Sequence, residues 1–383
     1  MNEIFEAKPG RARSRAGAAG PVRLLALATA VPEHELAQGE VETFAAGVFS
    51  SESRRFQRLR PAFGNAGIAR RRISVPLAWL SMPHGWAERA RVFAEHAVPL
   101  AERVASACLA GAGLGTDDVD AVVAVSSTGI ATPSLDALVV ERMGLRRNVE
   151  RLPIFGLGCA GGVSGLARAA AMARARPQTR VLFLAIELCA PTFRHADTSK
   201  SNIIAAALFA DGAAGAILTA DGSAAETGPE REPTVIGWAE HTWPDTLDVM
   251  GWRIEDDGFG VLFSRDIPAI VTERLRAAAE EALSAHGLGL ADIDRFVCHL
   301  GGSKVVAALE EAFALSPGAL DDARAVLRDY GNMSAPSVMF VLERALARER
   351  ARRIRRPRAR PERWLLSALG PGFTASFLIL EVP

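Results

Sequence analysis

Phe155-Gly156-Leu157-Gly158-Cys159-Ala160-Gly161-Gly162-Val163-Ser164-Gly165-Leu166-Ala167 sets one cysteine among glycines, with an apolar approach from Leu152 before it and an alanine-rich run to Ala173 after it. The approach, Leu152 to Leu157, reads as a buried strand and the run as a helix, so Cys159 falls in the turn between them. A helix N terminus carries partial positive charge and favours thiolate over thiol. The glycines let a substrate carbonyl come close. A lone cysteine in such a turn is more often just a small buried residue, so the rest of the chain has to decide.

The flanking sequence is used twice. Gly113-Leu-Gly-Thr-Asp-Asp-Val-Asp-Ala-Val-Val-Ala-Val125 matches Gly287-Leu-Gly-Leu-Ala-Asp-Ile-Asp-Arg-Phe-Val-Cys-His299, and 287 − 113 = 174. Gly158-Cys159-Ala160 with its helix matches Gly331-Asn332-Met333-Ser334 with its own, and 332 − 159 = 173. Val181 to Ala185 followed by Asp211 to Leu218 is echoed by Trp364 to Ala368 followed by Gly372 to Leu380. One supersecondary plan recurs at a near-constant offset. Alternating helices and apolar strands in both halves predict an α/β layered fold. The halves are 21–228 and 233–383, joined by the polar, proline-bearing segment Ala224 to Pro233. Residues 1–20, rich in Ala, Arg and Gly, read as a disordered leader without the apolar core of a secretory signal.

At 383 residues and 49% hydrophobic, the chain can bury a large core. Its formal net charge of zero gives no overall pull toward nucleic acid or a membrane surface. No apolar stretch reaches transmembrane length. Cys108, Cys159, Cys189 and Cys298 form no CxxC pair, which argues against a structural zinc site and fits a reduced cytoplasm.

The duplication has a chemical consequence. If the halves pack about a pseudo-twofold axis, Cys159 and Asn332 occupy equivalent turns. His299 then ends the strand equivalent to Ala121–Val125. A cysteine nucleophile needs an imidazole to hold its proton. The Asn332 amide and the His299 ring N–H are two donors that converge on one oxygen, which makes an oxyanion hole for a tetrahedral oxyanion or an enolate. A thiolate beside an enolate hole suits decarboxylative Claisen condensation. Taken singly, His299 reads as a core histidine and Asn332 as a helix cap. At duplicated positions the catalytic reading wins. Cys298 neighbours His299 on the strand, faces the other way and reads as core.

These residues resemble the type III polyketide synthases, the chalcone synthase-like branch of the thiolase superfamily, over nearly the whole chain. The motifs are Ser126 to Pro133, Gly156 to Gly162, Ala207 to Ala214, His299-Leu-Gly-Gly302, Tyr330-Gly-Asn-Met-Ser334 and Leu369-Gly-Pro-Gly372. The resemblance implies a thiolase-like αβαβα fold, a homodimer, a Cys159–His299–Asn332 triad and acyl-CoA and malonyl-CoA as substrates. It implies no metal or organic cofactor, no nucleic acid and no membrane insertion. It further implies that Phe209 and Val261 stand at the two gatekeeper positions, Val261 in place of a larger residue. Cys189, Thr192 and Ser334 fall at cavity positions. Thr132 aligns with the residue that reaches into a partner's cavity. Arg55 and Arg58, with Gly301 and Gly302, align with the CoA site, and Gly370, Pro371 and Gly372 with the cyclisation loop.

Phe63 to Trp79, Trp86 to Arg89 and Glu95 to Ala97 resemble bacterial members that extend medium- or long-chain acyl starters to alkylpyrones and alkylresorcinols. A malonyl-CoA-only, tetrahydroxynaphthalene-type synthase is the alternative inside the family, and Cys189 is compatible with it. A ketoacyl synthase III-like enzyme making a single condensation shares the triad. The Leu369 to Gly372 motif, stiffened by proline, favours a polyketide synthase over that single-condensation enzyme. A third class, a triad-bearing subunit that only binds acyl-CoA or a partner, is disfavoured by retention of all three polar residues. The arginine-dense run Arg344 to Arg363 could serve CoA phosphate, nucleic acid or anionic lipid, and reads first as a solvated surface face.

Overall fold

The structure, a computed structural model, describes residues 21–50, 52–220, 232–355 and 360–383. Short runs of Val, Ala, Leu and Ile that are buried on both faces form the central strands; Ala121–Val125 is buried at every position. In chain order the strands are β1 (Val22–Ala30), β2 (His34–Ala37), β3 (Arg70–Ile73), β4 (Ala121–Val125), β5 (Glu150–Ile154), β6 (Arg180–Leu188), β7 (Asp211–Thr219), β8 (Thr234–Thr242), β9 (Met250–Glu255), β10 (Gly258–Phe263), β11 (Arg295–Cys298), β12 (Glu362–Gly370) and β13 (Thr374–Val382). The helices are α1 (Gln38–Val48), α2 (Arg54–Leu59), α3 (Pro61–Asn65), α4 (Leu77–Leu80), α5 (Trp86–Ala112), α6 (Leu135–Met143), α7 (Gly161–Ala175), α8 (Lys200–Leu208), α9 (Ile267–Ser284), α10 (Ser303–Ala312), α11 (Asp321–Tyr330) and α12 (Pro336–Arg355).

Nine strands pair in the order β11-β12-β13-β8-β1-β7-β6-β4-β5. The join between β8 and β1 is short, Val22 opposite Val235 and Arg23 opposite Thr234. Outward from it, β1-β7-β6-β4 mirrors β8-β13-β12-β11, and the outermost pair is parallel on each side. Helix α7 lies against β4, β6, β7, β12 and β13, and α12 against β1, β7, β11 and β12, so these two helices form a middle layer shared by both halves. Helix α5 covers β1, β6 and β7, while α9 covers β8 and β13 and carries α10. The layers run α, β, α, β, α. The middle pair packs closely: a Cβ added at Gly162 would lie 2.2 Å from the Ala335 carbonyl oxygen.

The stretches matched in sequence take matching forms. Gly113 and Gly287 each end a helix with positive φ, each is followed by a single 3₁₀ turn, and β4 and β11 come next. One expectation fails. The apolar run from Leu152 is not a buried strand: β5 ends at Ile154, is half open to solvent and sits at the sheet edge, and Phe155 is 55% exposed. An apolar run on an edge strand looks the same in sequence as a buried one, because the missing neighbour is not written locally. The leader expected at 1–20 and most of the linker expected at 224–233 lie outside the described residues. Among the described residues no helix is long and apolar enough to cross a membrane.

Candidate active site

After β5 the chain turns through Phe155 to Leu157 into one 3₁₀ turn, Gly158–Ala160, which runs on into α7. The Ser127 Oγ accepts the N–H of Gly156 at 3.2 Å and of Gly158 at 3.0 Å. Gly158 has φ +47°, and a Cβ there would lie 2.7 Å from Pro371 Cδ, so the turn needs glycine and rests against the Gly370–Gly372 loop. Cys159 is thus held at the N terminus of α7, where its thiol is hydrogen-bonded to the Ser334 side chain.

His299 follows β11, its backbone N–H donating to the Ser367 carbonyl at 2.8 Å. Its ring is 5% exposed and neither nitrogen has a hydrogen-bond partner. Asn332 follows Gly331, whose φ is +74°. Its Nδ2 donates to the Gly301 carbonyl at 3.3 Å and its Oδ1 accepts from the Ser334 N–H at 2.8 Å. One Nδ2 hydrogen remains free for another acceptor. Cys159, His299, Asn332 and Gly301 line one narrow cavity of about 20 Å³, room for about one water. Its other walls are apolar: Met250, Phe263, Ile267, Val305 and Leu369 among them.

Burial sets the protonation states. It pushes the Cys159 thiol up to about 12, against the smaller opposing effect of the Ser334 hydrogen bond. The thiol keeps some surface open to the cavity, yet it lies deep beneath the protein. Burial also pushes the His299 imidazole down to about 4. The sequence suggested a resting thiolate. The helix end is worth only about 0.3–1 kcal/mol, less than one tenfold step, and does not outweigh burial. Taken alone, each group is neutral at pH 7.

Comparison with known proteins gives the family. Residues 10–222 match the family of chalcone and stilbene synthases, N-terminal domain, and residues 237–383 match its C-terminal domain. The chain belongs to the chalcone and stilbene synthase family. It is a type III polyketide synthase, an acyltransferase that builds its product from malonyl-CoA by Claisen condensation. It is 37% identical over 357 residues to a 1,3,6,8-tetrahydroxynaphthalene synthase of Streptomyces peucetius subsp. caesius, covering 93% of this chain and 92% of that one. It is 33% identical over 364 residues to a putative chalcone synthase of Bacillus subtilis (strain 168), covering 94% and 98%. Among solved structures, PKS-I of the brown alga Ectocarpus siliculosus superimposes with TM-score 0.85 at 26% identity over 96% of this chain and 100% of that one. The 1,3,6,8-tetrahydroxynaphthalene synthase of Streptomyces coelicolor A3(2) superimposes with TM-score 0.84 at 26% identity over 94% and 99%.

The synthase has a second cavity, of about 60 Å³, lined by Cys189, Thr192, Phe209, Val261, Asn202 and Arg71 together with apolar side chains. Four of the residues singled out in the sequence therefore share one wall system. Two links tie it to the first cavity. Phe209 pairs with Asn332 through a backbone bridge. Cys189 lies near enough to Cys159 for charge on one to raise the other, and burial is the larger cause of its raised thiol. Ser334 is buried and has φ +56°. The hairpin of β9 and β10 roofs both spaces: Met250 and Phe263 face the first, Val261 the second, and the Trp252 indole donates to the Ser127 carbonyl at 2.8 Å.

Other expected residues lie elsewhere. Arg55 and Arg58 are exposed on α2, with Arg55 Nη1 donating to the Thr198 carbonyl at 3.1 Å. Gly302 precedes α10, whose Ser303 hydroxyl donates to the Asn65 carbonyl at 2.7 Å and so joins α3 to the start of α10. Thr132 is exposed and lines neither cavity of its own chain. Within the arginine run, Arg344 and Arg348 bond Asp322, Arg352 bonds Glu349 and Arg360 bonds Asp294. That pairing suits a surface face; residues 356–359 of the run lie outside the described part. Among the described residues no cluster of three or more His, Cys, Asp and Glu could hold a metal ion.

Sequence reading missed three residues. Glu187 is fully buried, accepts from Thr128 Oγ1 at 2.7 Å and the Ser127 N–H at 2.9 Å, and has one oxygen without a partner. Burial raises its carboxyl to about 7, and its charge bears on Cys159. Ser127 holds the Gly156 and Gly158 N–H groups of the turn before α7 through its Oγ. Arg71, in the basic run Arg70-Arg71-Arg72, is 2% exposed and donates to the carbonyls of Ala206, Ala207 and Phe209 at the C terminus of α8. A helix C terminus favours a cation. The local signal was slight: an acid inside the apolar run Val181 to Leu188, and one arginine at the inward phase of a strand.

Proposed function

We propose that Cys159 carries the growing chain and that His299 and Asn332 stabilise the enolate that extends it. The Cys159 Sγ attacks the carbonyl carbon of an acyl-CoA while its proton passes to the His299 imidazole, and CoA leaves as the thiol by taking that proton. Malonyl-CoA then loses CO₂, and the electron pair of the broken C–C bond becomes an enolate whose oxygen is held by the His299 and Asn332 N–H groups. The enolate carbon attacks the acyl carbon, the Cys159–acyl bond breaks and Cys159 leaves as thiolate, with the extended chain on CoA. The thiolate then attacks that CoA thioester, CoA leaves and takes up a proton, and the chain is back on sulfur for another round. The observation that carries this reading is a buried imidazole with both nitrogens unpartnered, on the same small cavity as the thiol and a spare amide hydrogen.

The narrow apolar slot along Phe263, Ile267 and Gly301 suits a pantetheine arm, with Gly302 at the start of α10 and Arg55 and Arg58 on the surface for CoA phosphates. The cavity of Phe209, Val261, Cys189 and Thr192, beside Ser334, suits the growing chain, with the Gly370–Gly372 loop bracing the nucleophile for cyclisation. Val261 leaves room for a bulky starter. The apolar outer wall of that cavity favours a medium- or long-chain fatty acyl starter and an alkylpyrone or alkylresorcinol-type product. A malonyl-CoA-only synthase is the second reading. It is favoured by the name of the 37% identical relative and by Cys189 in the cavity.

The protein acts as a homodimer in this reading, each Thr132 near the partner's cavity. The test is mass spectrometry of products from purified protein given malonyl-CoA with starters from acetyl to stearoyl. Chain-length-dependent alkyl products support the first reading, an identical product without any starter supports the second, and the absence of any condensation product sinks both.

A further inference from the structure

Beyond Phe209 the growing-chain cavity ends on a wall of Leu36, Val41, Phe44, Leu77, Leu80 and Phe193. Phe44, on α1, and Leu77, the first residue of α4, are only half-buried. The same two side chains face an open groove of about 790 Å³ on the outside. One layer of side chains thus separates the small cavity from a much larger space. Partly exposed side chains change rotamer quickly, and Phe44 and Leu77 are the side chains that both spaces share.

The floor of the groove is α1 itself. Gly39, Thr43 and Gly47 recur every four residues and share one face. A Cβ at Gly39 or Gly47 would meet nothing within 4 Å, and neither residue has a left-handed backbone. Glycine weakens a helix relative to alanine, and here neither packing nor backbone angle calls for it. What the two glycines do is leave the groove open. Its rim is polar, with Glu40, Ser81 and His195, whose Nδ1 has no partner.

We propose that this groove is the outer half of the acyl site. The alkyl tail of a long-chain acyl group bound at Cys159 passes between Phe44 and Leu77 and lies along the glycine face of α1. The proposal rests on the Phe209–Val261 cavity being the chain chamber. Its occupant follows from continuity: the only residues shared by groove and cavity are apolar, so what crosses between them is hydrocarbon, and shielding it from water drives it there.

The test compares kcat/KM for palmitoyl-CoA and hexanoyl-CoA, with malonyl-CoA, in the full chain and in the Gly39→Leu/Gly47→Leu double variant. Leucine fills the groove and strengthens the helix. The palmitoyl-to-hexanoyl ratio should fall at least tenfold, and Phe44→Ala should raise it. An unchanged ratio in the double variant overturns the groove, and so does a wild-type protein that uses hexanoyl-CoA but not palmitoyl-CoA. If no starter supports CO₂ release from malonyl-CoA, the synthase reading fails by itself. A palmitoyl-CoA with a terminal diazirine then judges the groove: photolysis should label the peptide 38–48, and label confined to other peptides overturns the proposal.

Discussion

Cys159 and His299 are both buried enough to be neutral, which fixes when the thiolate forms. A thiol raised by burial ionises only at alkaline pH, so its reactivity in the free enzyme climbs with pH through the neutral range. Alkylation of Cys159 by iodoacetamide should rise about tenfold per pH unit from pH 7 to 9. A flat rate between pH 6 and 8 would reveal a standing ion pair and overturn the neutral-pair account. In the proposed cycle, proton transfer then belongs to the attack itself, with the unpartnered imidazole as base. Asn332 acts later in that proposed cycle. Asn332→Ala removes an enolate donor and should lower condensation on the order of 10²–10³-fold, while starter still loads onto Cys159, as seen by intact mass. Loss of loading and condensation together would mean the amide only supports the fold. That Cys159, His299 and Asn332 share one cavity was legible because duplication lines them up. Glu187 and Ser127 were not, since their roles arise from contacts across β4 and β6 that no local pattern records.

The same substitution has opposite signs in two helices. In α1, Gly47→Ala adds a methyl that meets nothing within 4 Å, so the helix gains about 0.4–1 kcal/mol by losing unfolded-chain freedom. In α7, Gly162→Ala gains the same preference but drives a Cβ to 2.2 Å from the Ala335 carbonyl of the layer beside it. Backbone yields poorly, and overpacking of this kind costs about 1–3 kcal/mol. Thermal unfolding should therefore move up for Gly47→Ala and down for Gly162→Ala; a stabilised Gly162→Ala would mean the middle layer is looser than its geometry. Helix α7 was legible from its alanine-rich run, and the turn before it from its glycines. The β9–β10 hairpin was not. Its anchors, Trp252 on Ser127 and Arg89 on the Asp257 carbonyl, reach over great sequence distance.

At the scale of the molecule, duplication yields a sheet that mirrors itself about β1 and β8, but the mirror is incomplete. Among the described residues strand β5 has no counterpart and leaves an open edge. Unpaired strand edges are covered or blunted in stable proteins. This edge instead neighbours Ile130, Phe155 and Ile254, which are 47%, 55% and 66% exposed. Between them lies a groove of about 440 Å³ that also reaches Asp136. That carboxylate is fully buried and accepts no hydrogen bond, with Arg151 at 3.4 Å as its ionic neighbour. Apolar side chains, an unpaired edge and an underused buried acid on one face are what a self-complementary twofold contact would cover. Thr132 is exposed beside Ile130, so such a contact would bring it to the partner. Phe155→Arg places a charge at the centre of that face and leaves Cys159 four residues away on the other side of the turn. Sedimentation equilibrium should find the unaltered protein dimeric at micromolar concentration and the variant at least a hundredfold weaker in association, about 2.8 kcal/mol. A monomeric unaltered protein, or a variant that dimerises as tightly, would place the subunit contact elsewhere and remove Thr132 from the neighbouring cavity.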